Sequence, residues 1–276
     1  MNLSSVRTRF RQLPGPARAG AEGVVLVAVA ICLALFIKSF FVQAFYVPSG
    51  SMYPTLQGGP GVKSDRILVE KPSYWFSGPS RGDIVVFKDP GGWLTAEEST
   101  TPTGGLTGAL SAIGLFPGGG HLVKRVMGVG GDVIVCCDKA TGDLIINGHL
   151  LDGSGFLAPR DGVIGTQMGT YQCDGAEAFS PNTQACRIGW TVKVPAGTVF
   201  VMGDNRSNSL DSAAHLCLPS GGGDSLPANS RPTVTGCSGI TAFVPVDDIV
   251  GKVVAVLWPA NRFTFLSRPG AFASIH

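Results

Sequence analysis

Apolar residues follow two regimes along this chain. From residue 23 to 37 the run GVVLVAVAICLALFI carries no charge, and after Lys38 and Ser39 apolar character resumes in FFVQAFYV as far as Val47. Beyond it, apolar positions come in short β-branched runs broken by Gly, Asp and Pro. The first regime predicts one long helix, and the second predicts strands over RILVE (66–70), DIVVF (83–87), LVKRVMGV (122–129) and DVIVCC (132–137). LIINGHLL (144–151) centres a hairpin on Asn147-Gly148. WTVKVPAGTVFVMG (190–203) turns at Pro195-Ala196-Gly197, and IVGKVVAVLW (249–258) reads as a buried strand. No long helix is expected after the first run, so the class is mainly β. Three segments interrupt the strands as insertions. Residues 88–120 hold nine glycines and a weak helical spacing of Leu106, Leu110 and Ile113, while 152–189 and 213–242 are polar and Gly-rich.

Charge gives the first run a direction. Residues 1–22 carry Arg7, Arg9, Arg11 and Arg18 against Glu22, a balance of +3 in a chain of net charge +2, so the remainder is close to neutral at −1. A basic excess confined to the segment before an apolar run is a topology signal rather than a nucleic-acid surface. Fifteen helical residues cover about 22 Å, short of the roughly 30 Å hydrocarbon core; the continuation to Val47 makes up the difference, with Lys38 snorkelling outwards. Val42-Gln43-Ala44 resembles a leader cleavage site, but Lys38 and phenylalanines separate it from the apolar run, and a cut there would leave six residues before Ser51. The run therefore reads as a retained anchor. The expected organisation is a cytoplasmic basic tail over 1–22, a single transmembrane anchor over 23–45, and an extracytoplasmic domain over 46–276.

Cysteine placement agrees with export. Cys32 lies in the apolar run, and the other six follow it. In an oxidising compartment an even number implies disulfides, and the shortest loops pair Cys173 with Cys186 and Cys217 with Cys237. Adjacent Cys136 and Cys137 make a strained pair, so they take other partners or stay reduced. The spacings match no four-ligand zinc site.

Candidate chemistry begins in PSGSMYPTL (48–56), where Pro48, Gly50 and Pro54 restrict the backbone around Ser49 and Ser51. Serine attacks only once a base removes its proton. None of His121, His149, His215 and His276 stands in a recognisable triad setting, although order and spacing do not exclude one. Lys124, flanked by Leu122, Val123 and Val126, is the stronger candidate, because desolvation towards a pKa of about 8 leaves roughly a tenth of it neutral at pH 7. Pattern alone allows the opposite register, with Lys124 outwards and Arg125 inwards. GDNRSNSLDS (203–212) follows a hydrophobic strand as a polar stretch, either a solvated loop or a site at a strand end. The RGD tripeptide at 81–83 reads more simply as a turn feeding a strand than as an adhesion signal.

Together, PSGSMYPT, RGDIVVF, VKRVMGVGGD, GDNRSNSLDS and VPVDDIVGKVVAVLWP, in this order behind an anchor, resemble bacterial type I signal peptidase, the Ser-Lys protease that removes signal peptides from exported proteins. The resemblance implies a mainly antiparallel β catalytic domain whose apolar surface meets the bilayer. It assigns Ser51 as nucleophile and Lys124 as general base. The Ser49 hydroxyl and the Ser51 backbone N–H form the oxyanion hole, Ser209 orients the lysine, and Asp211 is a structural carboxylate. Val47, Met52, Leu56 and Val123 fall near pockets for small side chains, as in Ala-x-Ala cut sites. No metal or cofactor is implied; the partners are signal-peptide-bearing preproteins and membrane lipid, and the enzyme is a monomer in the bacterial cytoplasmic membrane. Two departures stand out: Ala213 replaces the family's usual arginine beside Asp211, and Ser207 replaces a common acidic residue. The 88–120 insertion and the exported cysteines resemble actinobacterial members. Self-cleaving Ser-Lys repressors lack the membrane span, and a catalytically dead module that binds signal peptides would not keep Ser51, Lys124 and Ser209 together.

Overall fold

A computed structural model describes residues 15–94, 119–136, 138, 143–158, 190–216 and 242–275. The chain divides into two units, Met1–Val42 and Gln43–His276. The first contains helix α1, Gly15–Phe40, which carries the apolar run. Among the described residues no helix is long and apolar enough to cross a membrane. The helix stops short of the expected residue 45. Val42–Tyr46 forms strand β1 instead, because Phe45 alternates inwards to the core while Ala44 and Tyr46 face out.

The second unit is built from two sheets. The larger places β1 beside β2 (Arg66–Glu70), then β11 (Ile249–Trp258), β3 (Ile84–Lys88), β4 (His121–Val129), β9 (Thr198–Met202) and β10 (Val244–Pro245), with β12 (Thr264–Phe265) paired to β11. The smaller has the order β7 (His149–Leu150), β6 (Ile145–Ile146), β5 (Val133–Cys136), β8 (Trp190–Lys193). Every pairing with a defined register is antiparallel. The β6–β7 turn is the expected hairpin, with Asn147 at φ 52° and Gly148 at φ 81°, the left-handed pair that a tight two-residue turn requires. The Pro195-Ala196-Gly197 turn does not close a hairpin. β8 joins the small sheet through β5 and β9 joins the large sheet through β4, so this turn carries the chain from one sheet to the other.

Two expected insertions begin later than their polar composition implies. Phe156 and Leu157, assigned to the 152–189 insertion, and Ala213 and Leu216, assigned to 213–242, are all buried in the core between the sheets with Trp190, Phe200 and Met202. The helical spacing of Leu106, Leu110 and Ile113 lies outside the described residues, as do Cys137, Cys173, Cys186, Cys217 and Cys237. Of the cysteines among the described residues, Cys32 is free and Cys136 is buried at the end of β5. The RGD residues serve the interior. Arg81 pairs with Asp132 at 2.6 Å, and buried Asp83 accepts from Tyr74, Arg268 and the Ser80 N–H. Burial raises Asp132, but its hydrogen bonds from Arg81, the Val129 N–H and Asn147 outweigh that and hold it below the usual carboxylate range.

Candidate active site

Ser51 sits in a single 3-10 turn, Gly50–Met52, inside a long loop between β1 and β2. The ends of that loop are sewn together. Val47 N–H donates to Asp65 O at 3.0 Å, Asp65 N–H to Gln57 O at 2.8 Å, and the buried Asp65 carboxylate accepts from Gln57 N–H and from both Nε and Nη2 of Arg262. Below the turn, Val47, Met52 and Leu56 are buried in one apolar cluster with Phe45, Ile67, Ile84 and Val253, and half-buried Val123 packs against it. This anchoring leaves the Ser51 hydroxyl little freedom, at a residue only 6% exposed.

Lys124 reaches the turn from β4, where it lies opposite Val85 of β3. Its Nζ donates to Ser51 Oγ at 2.6 Å, and the residue is 4% exposed. Burial pushes its ammonium down to about 8, against the opposing pull of the Asp211 and Asp204 carboxylates. The register question has an unexpected answer, since neighbouring Arg125 is buried as well. On the opposite face of β4, Arg125 grips Asp204 through Nε at 2.8 Å and Nη2 at 2.6 Å, donates to Gly82 O, and stacks over the Phe156 ring at 4.7 Å. A buried, bidentate arginine neutralises Asp204 locally while Lys124 remains poised to lose its proton.

Ser49 Oγ lies 3.2 Å from Ser51 Oγ. From the other side comes GDNRSNSLDS, which leaves the end of β9 and crosses the back of the serine turn. A Cβ on Gly203 would collide with Ser209 Oγ and with Ser51 O, so only glycine allows this approach. Ser209 donates to Asp211 Oδ2 at 2.6 Å, and the fully buried Asp211 carboxylate also accepts from the backbone N–H groups of Gly203 and Ala213. Ala213 therefore does not leave Asp211 without hydrogen-bond donors, since its own N–H reaches Oδ1 at 3.1 Å. His215 Nδ1 lies 2.8 Å from Asp211 O, and its ring stacks on Trp93 at 4.5 Å.

Ser51 is thus in direct contact with both Ser49 and Lys124, with Ser209 and Asp211 joined behind Gly203, and Val47, Met52 and Leu56 in one cluster against which Val123 packs. Sequence reasoning gave no role to Asp204, Arg125, Thr55 or Asn205, although all lie within or beside the matched motifs. Thr55 donates to Asp204, and Asn205 donates twice to the Ser51 turn. For Asp204 and Asn205 the one signal was unusual polarity directly after the buried strand β9. Among the described residues no group of His, Cys, Asp and Glu side chains is arranged to hold a metal ion.

Comparison with known proteins places the chain in a family. Residues 21–258 match the family model described as signal peptidase, peptidase S26. A probable signal peptidase I of Mycobacterium leprae (strain TN) is 35% identical over 251 residues, covering 88% of this chain and 77% of that protein. Signal peptidase I of Mycobacterium tuberculosis (strain ATCC 25618 / H37Rv) is 34% identical over 260 residues, covering 91% and 77%. That of Leptolyngbya laminosa is 30% identical over 251 residues, covering 91% and 86%. With the family model spanning most of its length, and actinobacterial proteins among its relatives, this chain belongs to the signal peptidase family, peptidase S26.

Proposed function

We propose that this chain cuts N-terminal signal peptides from exported preproteins by acyl transfer to Ser51, with Lys124 as general base. The observation that carries the reading is the 2.6 Å contact between Lys124 Nζ and Ser51 Oγ, made by a buried lysine that burial pushes towards neutrality. The neutral amine takes the Ser51 proton as Oγ attacks the scissile carbonyl. Ser49 Oγ–H and the Ser51 N–H stabilise the oxyanion, and the lysine returns the proton to the leaving amine. Water, deprotonated by the same amine, then attacks the acyl-enzyme and frees Ser51. Ser209 and Asp211 hold the lysine's surroundings. Val47, Met52, Leu56 and Val123 shape pockets for the small residues of an Ala-x-Ala cut site. The cycle uses the preprotein and water alone, and one chain suffices.

Helix α1 anchors the enzyme in the cytoplasmic membrane, its basic tail inside and the β domain outside; the apolar run and the arginines before it support this placement. Exposed Phe263 and Phe265, ring centroids 5.5 Å apart, with Trp258 nearby in sequence, give the β11–β12 corner an apolar surface suited to lipid.

The test uses the detergent-solubilised full chain with a preprotein bearing an Ala-x-Ala site, the new N-terminus read by mass spectrometry. A single cut after the last Ala, absent in Ser51→Ala, is expected. Retained signal-peptide binding without any cut would turn the chain into a binding module.

A further inference from the structure

Asn205 grips the serine turn at two points. Its Nδ2 lies 3.1 Å from Gly50 O, and its backbone N–H donates to Ser51 O at 3.0 Å. A carbonyl oxygen only accepts, so the amide group facing Gly50 is the NH2. These two carbonyls belong to the peptide units on either side of the Ser51 Cα. Each peptide unit is planar, with its C=O and N–H pointing in opposite directions, so fixing Gly50 C=O fixes the direction of the Ser51 N–H. Tyr53 N–H also donates to Gly50 O at 3.2 Å, closing the 3-10 turn; Ser51 N–H precedes that first internal bond. Asn205 is itself held in place. It follows Asp204, locked by Arg125 and Thr55, and its carbonyl accepts from Asn208 N–H at 3.1 Å.

We infer that Asn205 is a positioning residue for the oxyanion hole, holding both peptide units around Ser51 so that the Ser51 N–H points at the oxyanion that forms on attack. The inference rests on Ser51 being the nucleophile. Asn205 touches neither substrate nor the reacting oxygen; it acts through the backbone of Ser51. Because the transition state alone carries the oxyanion, loss of this hold lowers kcat and leaves substrate binding intact. The base is untouched: Lys124, Asp211 and Asp204 keep their positions, so the pH at which activity rises stays where it is.

The experiment compares Asn205→Ala and Asn205→Asp with wild type in the detergent-solubilised full chain. Asn205→Ala is expected to lower kcat about 10–100-fold with KM within about twofold and the alkaline limb unmoved. Asn205→Asp, which puts a carboxylate oxygen where the NH2 meets Gly50 O, falls at least as far. A peptide aldehyde, which forms a tetrahedral adduct on the serine, loses affinity by the same factor as kcat/KM. A substrate peptide bound to the Ser51→Ala background does not weaken when Asn205→Ala is added. Backbone amide exchange in residues 47–56 speeds up in Asn205→Ala, a readout independent of cleavage. Turnover within twofold of wild type in both variants would overturn the inference. So would a raised KM with unchanged kcat, which would make Asn205 a substrate contact. An activity loss that tracks a lowered melting temperature, with aldehyde and substrate weakened alike, would make it a fold residue. If wild type itself cuts nothing, the nucleophile reading fails separately, and unchanged exchange would then show that Asn205 does not hold the turn.

Discussion

The proposed chemistry turns on one residue whose burial works against the fold. A lysine in water loses its proton near 10.5, but burial brings Lys124 to about 8. Activity should therefore climb with pH through a single limb near 8 and level off above it, read as kcat against pH; a limb near 6.5 alone would point to histidine. The same shift has a stability consequence of definite sign. Between about 8 and 10.5 the unfolded chain holds a proton on this lysine that the folded chain has released, so folding gains stability as pH rises through that window. Below pH 8 both states are protonated and the full cost of burying the ammonium, about 3 kcal/mol, weighs on the fold. Lys124→Met removes that cost along with one hydrogen bond of about 1–3 kcal/mol. At pH 7 the variant should be inactive yet at least as stable as wild type by denaturant unfolding. The gain of wild type over the variant between pH 8 and 10 should be visible in the same titration. A variant several kcal/mol less stable at pH 7 would show that the lysine is a structural prop instead.

At the scale of elements, the end of β9 and the serine turn meet at Gly203, where a methyl group would strike Ser51 O and Ser209 Oγ together. Gly203→Ala should cost about 1–3 kcal/mol of stability and at least tenfold in kcat, because the strain is relieved by moving the segment that carries Ser209, Asp211 and Asn205. Unfolding curves and turnover on one sample check both. Stability lost with kcat unchanged would separate the packing from the site. Most elements around this contact were legible. RILVE and IVGKVVAVLW are strands over the expected residues, and Asn147-Gly148 closes the expected hairpin, since local alternation and turn chemistry fix such features. What was not legible depends on distant partners. Phe45 turned the supposed end of the anchor into β1, and the Pro195 turn switches sheets because β5 and β4 claim the strands on either side. In the site, the matched motifs marked Ser51 and Lys124, but pattern offered Lys124 or Arg125 as the inward residue. Both are buried, because Asp204 waits on the far face, and no periodicity reports such a pairing.

For the whole molecule, the proposed membrane anchorage raises the problem of how the β domain would meet a cut site at a bilayer. Large exposed aromatic groups are unusual on a domain surface unless something covers them, and Phe263 and Phe265 are 55% and 76% exposed on the β11–β12 corner. Burying one such ring in the interfacial region gains about 2 kcal/mol, so two suffice to hold a surface against lipid without inserting it. Lipid contact of this kind raises the rate only when the substrate is itself held by the membrane. The Phe263→Ser/Phe265→Ser double variant of the full chain should process a vesicle-embedded preprotein several-fold more slowly than wild type. Its turnover of a short soluble Ala-x-Ala peptide in detergent should stay within about twofold, because Ser51 and Lys124 lie on other elements and neither ring belongs to the apolar cluster beneath them. Equal slowing on both substrates would mean that the ring pair supports the active site through the sheet. Equal rates on both would mean that lipid does not use this corner, and the proposed membrane contact would then rest on helix α1.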